Sequence, residues 1–415
     1  MNFLIILFFI SFVSNVEAYN LEDLSKILLS ENPKIQSMER EVKMKELKVV
    51  SSSSLDDPKL KIGINSLPVD TWSFKDEDMT TKEIGISQMI PLGGKLKTKE
   101  NIAYKELLIA KENLRKEKIN MLFELEKNYY ELAYIRSSIK ILENIKSYLK
   151  LLIDSESALI KAGMGNVSNV VKVSVEEKMI DEEIINLRQK EREYLKSIGY
   201  IIGMENFSVE TDELVWKPLE YNINELKDKA FSNNPDLRLL SLENELSNEE
   251  VDLKKKEYYP DLELSISYMQ RDNSKDGMKR PDMVSAMAVF NIPLWFKKKN
   301  IPMIEEMMKK KEMVNKRFED KKNEIISKID TMIGEAERIK SLKSLYEDTL
   351  IPQNELILET YFTRYKTSNI EFMPVIDTIR TLLRYKKELE SLKKELIVTN
   401  LSINTLIGNN DLVEK

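Results

Sequence analysis

The sequence predicts a mainly α-helical protein with two β-hairpins and two long helical hairpins, built from two copies of one unit. A strand pattern at 81–91 leads directly into a charged helical pattern that meets no strong helix breaker until Gly163. The same succession recurs about 200 residues later. In addition, 32% of the 415 residues are charged and only 11 are glycine, a balance typical of long helices with solvated faces.

Landmarks in the two halves of the chain are separated by nearly constant distances. The strand-ending prolines, Pro91 and Pro293, lie 202 residues apart, and the Asn-Pro pairs that open each unit have the same offset. Later landmarks lie 205 residues apart, which an insertion in the second long helix would explain. The matching pairs are Asn32-Pro33 with Asn234-Pro235 and Ile202-Gly203 with Ile407-Gly408. A period of this length indicates a duplicated domain.

The repeat sets the predicted limits of the domains. The predicted parts are a signal peptide at 1–18, a first repeat at 19–203, a connector at 204–222, a second repeat at 223–408 and a tail at 409–415. Strands are expected at about 58–67, 81–91, 260–271 and 282–293, and helices at about 95–162, 168–203, 297–366 and 371–408.

The first 18 residues are typical of a secretory signal peptide. Residues 3–13 form an apolar run, and Val16-Glu17-Ala18 places small residues where a signal peptidase cleaves. The run is too short to span a bilayer as a helix. We therefore expect export, with a short membrane-anchored N-terminus as the alternative.

The composition excludes several classes of function. The chain has no cysteine and no histidine, which removes disulfides, thiol nucleophiles, imidazole bases and the commonest zinc sites. Its net charge is −6 and its basic residues are interleaved with acidic ones, so it lacks the basic footprint of a nucleic-acid-binding protein. We expect no enzyme activity, cofactor, metal site or nucleic-acid partner. A group of methionines in the second long helix is interpreted as packing: Met303, Met307, Met308 and Met313.

The strands of the second unit alternate between apolar and polar side chains. In 261–268 the apolar residues lie on one face and acidic or serine residues on the other, and 284–292 shows the same period. One apolar face of this kind is typical of a strand that faces lipid. The residues predicted to face a membrane are Leu262, Leu264, Ile266, Ala286 and Ala288.

Aromatic residues flank this second pair of strands. Tyr258-Tyr259 precede the first strand and Trp295-Phe296 follow the second, so a hairpin would bring all four to one end. This arrangement is similar to a membrane-interface girdle, and the alternative is an aromatic cluster that caps a soluble sheet. Closed barrels start at about eight strands. If the hairpins enter a membrane, several copies must therefore contribute to one barrel.

The long helical patterns carry apolar seams. Apolar residues recur at steps of three or four along 95–161, and Gly163-Met164-Gly165 predicts a tight turn between two antiparallel helices. The last helix has an apolar residue every seven positions: Val375, Leu382, Leu389, Leu396 and Ile403. Seams this long on a highly charged chain favour a ring of helical hairpins.

These features together resemble the TolC family of outer-membrane efflux channels. They are the signal peptide, the duplicated halves, the paired strand and helical hairpins, the Asn-Pro opening of each unit, the proline ending each second strand, and the ISQMIPLGGK segment. The last three residues of this segment, Gly93-Gly94-Lys95 (GGK), resemble the heavy-metal-efflux branch of that family. The resemblance covers essentially the whole chain after the signal peptide.

The resemblance implies a homotrimer located in the bacterial outer membrane. Three copies would form a trimeric 12-stranded transmembrane β-barrel in outer-membrane lipid, continuous with a 12-helix α-barrel that projects into the periplasm. An equatorial domain would include the connector. Such a channel is a passive exit duct for substrates delivered by an inner-membrane efflux pump and a periplasmic adaptor, the membrane fusion protein.

The resemblance also implies where the adaptor docks. The family pattern at a helical tip is a large residue followed three positions later by glycine. It matches Ile160 and Gly163 in the first repeat and, with serine replacing glycine, Tyr365 and Ser368 in the second. The candidate docking residues are Gly163, Met164, Gly165, Ser368 and Asn369.

The resemblance further implies a gate at the periplasmic end of the tunnel. Family members close the tunnel with tyrosine, arginine and aspartate near the second tip. Tyr365 and Asp377 match this pattern, whereas Ile370 and Pro374 occupy the places of the arginine and the first aspartate. We therefore expect only part of the set of polar contacts that closes the tunnel in this family.

Two other classes of function remain open, namely a periplasmic adaptor and a structural coiled-coil protein without channel activity. An adaptor would carry one helical hairpin inserted between β-rich halves, whereas this sequence has two helical hairpins that flank strand pairs in tandem. Gly93-Gly94-Lys95 is interpreted as a turn before a helix, because the other residues of a P-loop are missing.

Overall fold

The structure is a computed structural model that describes residues 18–218, 222–366 and 372–409, so the candidate tip residues Ser368 and Asn369 lie outside the described residues. Most of the described chain is helical, and the predicted mainly α fold with two β-hairpins is confirmed. The helices are α1 (Leu21–Glu31), α2 (Pro33–Ser52), α3 (Lys95–Lys161), α4 (Val167–Ile202), α5 (Ile223–Asn233), α6 (Pro235–Lys256), α7 (Phe296–Ser344), α8 (Ile351–Lys366) and α9 (Phe372–Leu406). The strands are β1 (Ala18–Tyr19), β2 (Lys59–Asn65), β3 (Thr81–Pro91), β4 (Ser208–Val209), β5 (Asp261–Gln270) and β6 (Met283–Phe290).

The chain divides into two compact units, each of which takes segments from both sequence repeats. Unit 1 contains Met1–Ser37, Arg115–Pro235 and Lys322–Lys415, and unit 2 contains Met38–Leu114 and Asp236–Lys321. The domain limits inferred from the repeat describe the duplication and stay a prediction.

Unit 2 contains one antiparallel sheet with the strand order β2-β3-β5-β6. Each repeat contributes one hairpin, and β3 pairs with β5 to join the two hairpins. Ile86 lies opposite Ile266, which lies opposite Ala286 on the other side. Within the described chain β2 and β6 each have a single neighbouring strand, so both outer strands present an open hydrogen-bonding edge.

The GGK segment between β3 and α3 is a structural turn in unit 2. Gly93 and Gly94 have φ angles of 72° and 73°, in the left-handed region that favours glycine. A Cβ on Gly93 would also collide with the ring of Tyr259. Lys95 donates hydrogen bonds to the Tyr259 carbonyl at 2.6 Å and to the Asp261 carboxylate at 2.7 Å. The segment therefore anchors the start of α3 to the start of β5.

Unit 1 has a continuous apolar core along its long helices. The core brings together seam residues of α3 and α4 with residues of α8 and α9. Its members include Leu142, Leu149, Leu152, Val173, Ile184, Leu358, Val375 and Leu382. Most of the heptad residues of α9 are buried, and Leu389 is half-buried, as expected for a helix with one packing seam.

The helix predicted at 297–366 is divided in the structure by a π-helical segment. This segment spans Leu345–Leu350 and separates α7 from α8. Pro352 follows as the second residue of α8 and has no amide hydrogen to donate to the preceding turn. A π-turn is a common way for a helix to accommodate such a local break in the hydrogen-bond pattern.

Candidate functional site: the helical tip, the tyrosine contact and the sheet face

The first helical tip is a short turn between α3 and α4. Gly163 has a φ angle of 77°, which side chains with a Cβ rarely adopt. The amides of Met164 and Gly165 both donate to the Leu159 carbonyl, at 2.9 and 3.0 Å. These hydrogen bonds satisfy the last turn of α3 and reverse the direction of the chain.

The two tip glycines are required for different reasons. Gly163 is required by its backbone angle, and a Cβ there would point into open space. Gly165 has no left-handed angle, but a Cβ there would collide with the backbone nitrogen of Ile160. Both candidate docking glycines therefore have a structural role in the turn.

Exposed apolar side chains surround this turn. Met164 is 68% exposed, and Val167 and Val171 on the first turns of α4 are also exposed. We call these three residues the tip patch. These side chains leave apolar surface at the end of a charged helical hairpin, where a protein partner can reach it.

Tyr365, a predicted gate residue, is only 5% exposed. Its hydroxyl donates a hydrogen bond to the carboxylate of Glu156, a residue of α3 that is 1% exposed. Glu156 also accepts hydrogen bonds from the Asn166 amide at 2.7 Å and from the Asn169 side chain at 3.1 Å. One carboxylate thus connects the first tip turn to α8 of the second helical hairpin.

Glu156 is a site residue that sequence reasoning missed. It lies on the apolar seam of α3, four residues after Leu152 and three before Leu159. A lone carboxylate at a seam position is the signal that could have identified it, because a buried charge needs hydrogen-bonding partners.

Asp377, the other gate candidate, belongs to a separate contact. It lies on the exposed surface of α9 and accepts a hydrogen bond from Arg380 at 3.2 Å. Arg380 also donates to Glu176 on α4, and this hydrogen bond is the main reason why the pKa of Arg380 is raised. The structure therefore places Tyr365 and Asp377 in different interactions between helices of unit 1.

The five predicted membrane-facing residues share one face of the sheet. Leu264 is 44% exposed and pairs with Ala288, and Ile266 pairs with Ala286. Leu262 is half-buried on the same face. Apolar residues of β2 and β3 continue this face across all four strands: Leu60, Ile62, Ile64, Ile84, Ile86 and Ile90. We call it the apolar sheet face.

The opposite face of the sheet carries most of its polar side chains on β2, β3 and β5, whereas β6 contributes Met283, Met287 and Val289 to it. Glu83 accepts hydrogen bonds from Lys61 at 3.1 Å and from Asn65 at 2.7 Å. Ser265 and Ser267 continue this face on β5. A sheet with one largely apolar face and one face that carries charged and polar side chains suits a wall between lipid and water.

Aromatic side chains gather at one end of the β5–β6 hairpin. The rings of Tyr258 and Phe296 are 5.1 Å apart, and those of Tyr258 and Tyr259 are 6.0 Å apart. Trp295 is exposed beside them in the sequence. The aromatic residues on either side of the hairpin thus come together at one end.

Two kinds of feature are absent from residues 18–218, 222–366 and 372–409. No group of three or more acidic side chains there could hold a metal ion. No helix in these ranges is both long and apolar enough to cross a membrane.

Comparison with known proteins identifies the family. The profile of the family described as "Outer membrane efflux protein" matches residues 24–201 and 226–409, which is most of the chain. No curated protein matches this chain by sequence.

Solved structures show the same fold at low identity. CusC is 13% identical with a TM-score of 0.78, over 94% of this chain and 92% of CusC. VceC from Vibrio cholerae is 13% identical with a TM-score of 0.78, over 94% of this chain and 96% of VceC. The open state of MtrE from Neisseria gonorrhoeae is 10% identical with a TM-score of 0.73, over 94% of this chain and 89% of MtrE. The resemblance to TolC-type channels is confirmed, and the chain belongs to the outer membrane efflux protein family.

Proposed function

We propose that this protein is the outer-membrane exit duct of a tripartite efflux system and works as a homotrimer. Each copy contributes its four strands to one 12-stranded barrel and its long helices to a periplasmic α-barrel. The first helical tip docks a periplasmic adaptor, which connects the duct to an inner-membrane pump. Membership of the outer membrane efflux protein family supports this function and this location.

The sheet of unit 2 is the observation that carries the proposal. It has a largely apolar face, interrupted on β3 by Gln88 and at its edge by Lys82, and an open edge at β2 and at β6. Much of this face is exposed in the single chain. In lipid, both edges must find hydrogen-bonding partners, because no water is available to satisfy the backbone. Copies that pair β6 of one chain with β2 of the next satisfy both edges and close a barrel.

The trimer can be tested by measuring its mass in solution. The protein purified from membranes in mild detergent should run as a trimer by light scattering, after correction for bound detergent. Circular dichroism of the same sample reports whether its strands are intact. A folded monomer with its strand content retained would contradict the barrel.

The contact between Tyr365 and Glu156 is proposed as part of the gate. Tyr365→Phe removes the hydroxyl that binds the buried carboxylate, and a hydrogen bond to a charged group contributes about 1.5–3 kcal/mol. The opening equilibrium should therefore shift toward the open state by about 10- to 100-fold. Conductance in planar lipid bilayers measures this shift.

Tyr361→Phe is the matched control for the gate. Tyr361 is half-buried one helical turn before Tyr365 in α8 and makes no side-chain hydrogen bond with any described residue. Its replacement should leave conductance unchanged. Wild-type conductance in Tyr365→Phe would remove this contact from the gate.

Two alternatives are a periplasmic adaptor and a structural coiled-coil protein. Both would be recovered as soluble periplasmic proteins, whereas the proposed duct should sediment with the outer membrane. The substrate class, metal ions or drugs, stays open, because the geometry of the turn also explains the residues Gly93-Gly94-Lys95 that resemble the heavy-metal-efflux branch. Comparing resistance to metal ions and to drugs, in cells with and without the channel, tests the substrate class.

A further inference from the structure

In unit 1, the end of a short helix is hydrogen-bonded to the end of a long helix once in each repeat. We call each of these two contacts a joint. In the first joint, the Asn32 side chain donates to the Ile201 carbonyl at 2.7 Å. In the second joint, the Asn234 side chain donates to the Leu406 carbonyl, also at 2.7 Å. Each asparagine ends a short helix and ties it to the last turn of a long helix.

An arginine of the first repeat completes the second joint. Arg115 of α3 donates hydrogen bonds to the Asn233 carbonyl at 3.3 Å and to the Gly408 carbonyl at 2.9 Å. Both carbonyls lie at the C-terminal ends of helices, where backbone oxygens lack partners within the helix and carry partial negative charge. A guanidinium is well suited to bind such a pair of oxygens.

The first joint has the same carbonyls, but no arginine in the described part of its own chain binds them. Glu31 and Gly203 occupy the positions of Asn233 and Gly408. Among the residues that the structure describes, none donates a side-chain hydrogen bond to the carbonyl of Glu31 or of Gly203. A cavity of about 1080 Å³ lies here instead, lined in part by Gly203 and by Tyr200, which is 86% exposed.

Arg317 is the counterpart of Arg115 in the second repeat. Arg115 lies 24 residues after Pro91, and Arg317 lies 24 residues after Pro293. The helical hydrogen-bond pattern changes at the π-helical segment Leu345–Leu350, and we place the insertion that alters the repeat offset there, after Arg317. Arg317 is exposed and makes no hydrogen bond or ion pair with any residue in the described ranges.

We propose that Arg317 of one copy binds the carbonyls of Glu31 and Gly203 in a second copy of this chain, so that α7 of one copy fills the cavity of the next. This inference rests on the proposed homotrimer and identifies one of its contacts. The exposed carboxylates of Glu31 and Glu205 at the joint complement the positive charge of the arginine.

The duplication explains why the occupant is a second copy. Each joint has the long helix of its own repeat beside it: Lys34 binds Glu117 of α3 at 2.6 Å, and Lys227 binds Asp330 of α7 at 2.8 Å. The second joint also receives Arg115 from the other repeat. The first joint has no further repeat in its own chain to provide this contact. A neighbouring copy can provide it, and in the proposed trimer three such head-to-tail contacts form a closed ring.

Cross-linking between two differently tagged copies tests the contact, because the natural chain has no cysteine. One copy carries Glu31→Cys and the other carries Arg317→Cys, and both are produced in the same cells. A short bismaleimide should yield a cross-linked dimer that carries both tags. In the control, Glu319→Cys replaces Arg317→Cys, because residue 319 is rotated by about 200° around the helix. This control should yield no product with both tags.

A variant with both cysteines in one chain tests whether the bismaleimide reacts at a contact of this kind. Arg115→Cys combined with Asn233→Cys should cross-link without any increase in mass, because these two residues are already in contact. If this pair reacts and the wild-type protein is trimeric, absence of the doubly tagged dimer overturns the Arg317 contact and leaves the proposed duct intact. A monomeric wild-type protein overturns both.

Discussion

Leu264→Arg is expected to prevent assembly of the protein in the outer membrane. Leu264 lies on the apolar sheet face, between Gln88 of β3 and Ala288 of β6, and is 44% exposed in the single chain. A guanidinium that faces lipid near the bilayer midplane costs about 2–4 kcal/mol in each copy. The amount of trimer in the outer-membrane fraction measures the effect.

Ser265→Arg is the matched control, because it makes the same change one residue further along β5. Its side chain lies on the opposite face of β5, between Ser87 and Met287, and in the proposed barrel that face is in contact with water, which can solvate the charge. Trimer yield should therefore stay close to wild type. Ala288→Arg, on the apolar sheet face opposite Leu264, should behave like Leu264→Arg. Equal losses in all three variants would mean that the two faces are assigned wrongly.

Met164→Asp is expected to abolish efflux-dependent resistance without loss of the trimer. The change places a carboxylate at the centre of the tip patch, which the adaptor covers in the proposed function. A buried charge without a partner costs about 3–5 kcal/mol, so adaptor binding should weaken by at least about 100-fold. Minimum inhibitory concentrations in cells that contain the pump and adaptor measure resistance, and membrane fractionation measures assembly.

Met278→Asp is the control for this prediction. Met278 is as exposed as Met164 but lies in the loop between β5 and β6. It should keep full resistance. If Met164→Asp also keeps full resistance with the same partners, the first tip is not the docking surface.

Gly165→Trp is also expected to abolish resistance, but it answers a different question. A side chain at this position collides with Ile160, so the substitution changes the turn as well as the surface. Loss of the trimer together with resistance would indicate that the glycine serves only to form the turn. The Met164 amide also helps to form the turn, but its side chain is exposed, so replacing that side chain is the more direct test of docking.

Patterns that act over a few residues were predictable from the sequence. The alternation of Leu264 and Ser265 assigns the two faces of β5, because successive side chains of a strand point to opposite sides. α3 ends at Lys161, close to the predicted limit at about residue 162. The sequence signal was Gly163, because the left-handed backbone angle of the turn favours glycine. The paired landmarks of the two repeats could likewise be found by comparing the chain with itself.

Contacts between distant segments were not predictable in the same way. The sequence predicted two hairpins, but it did not predict that β3 would pair with β5, because strands of similar composition can pair in several orders. Glutamate usually lies on a helix surface; the seam position of Glu156 signals burial, but the sequence does not show that Tyr365 is its partner.

The sequence by itself determined the helices, the strands, the turns, the duplication and the family resemblance of this protein. Each of these depends on local periodicity, on backbone angles that few residues adopt, or on repetition along the chain. Only the tertiary structure decided that the two hairpins form one sheet with two open edges, that Glu156 binds Tyr365, and that the first joint lacks the arginine that completes the second. These features depend on which distant segments contact each other. A local sequence pattern shows that a face is apolar, but it does not show which other segment covers that face.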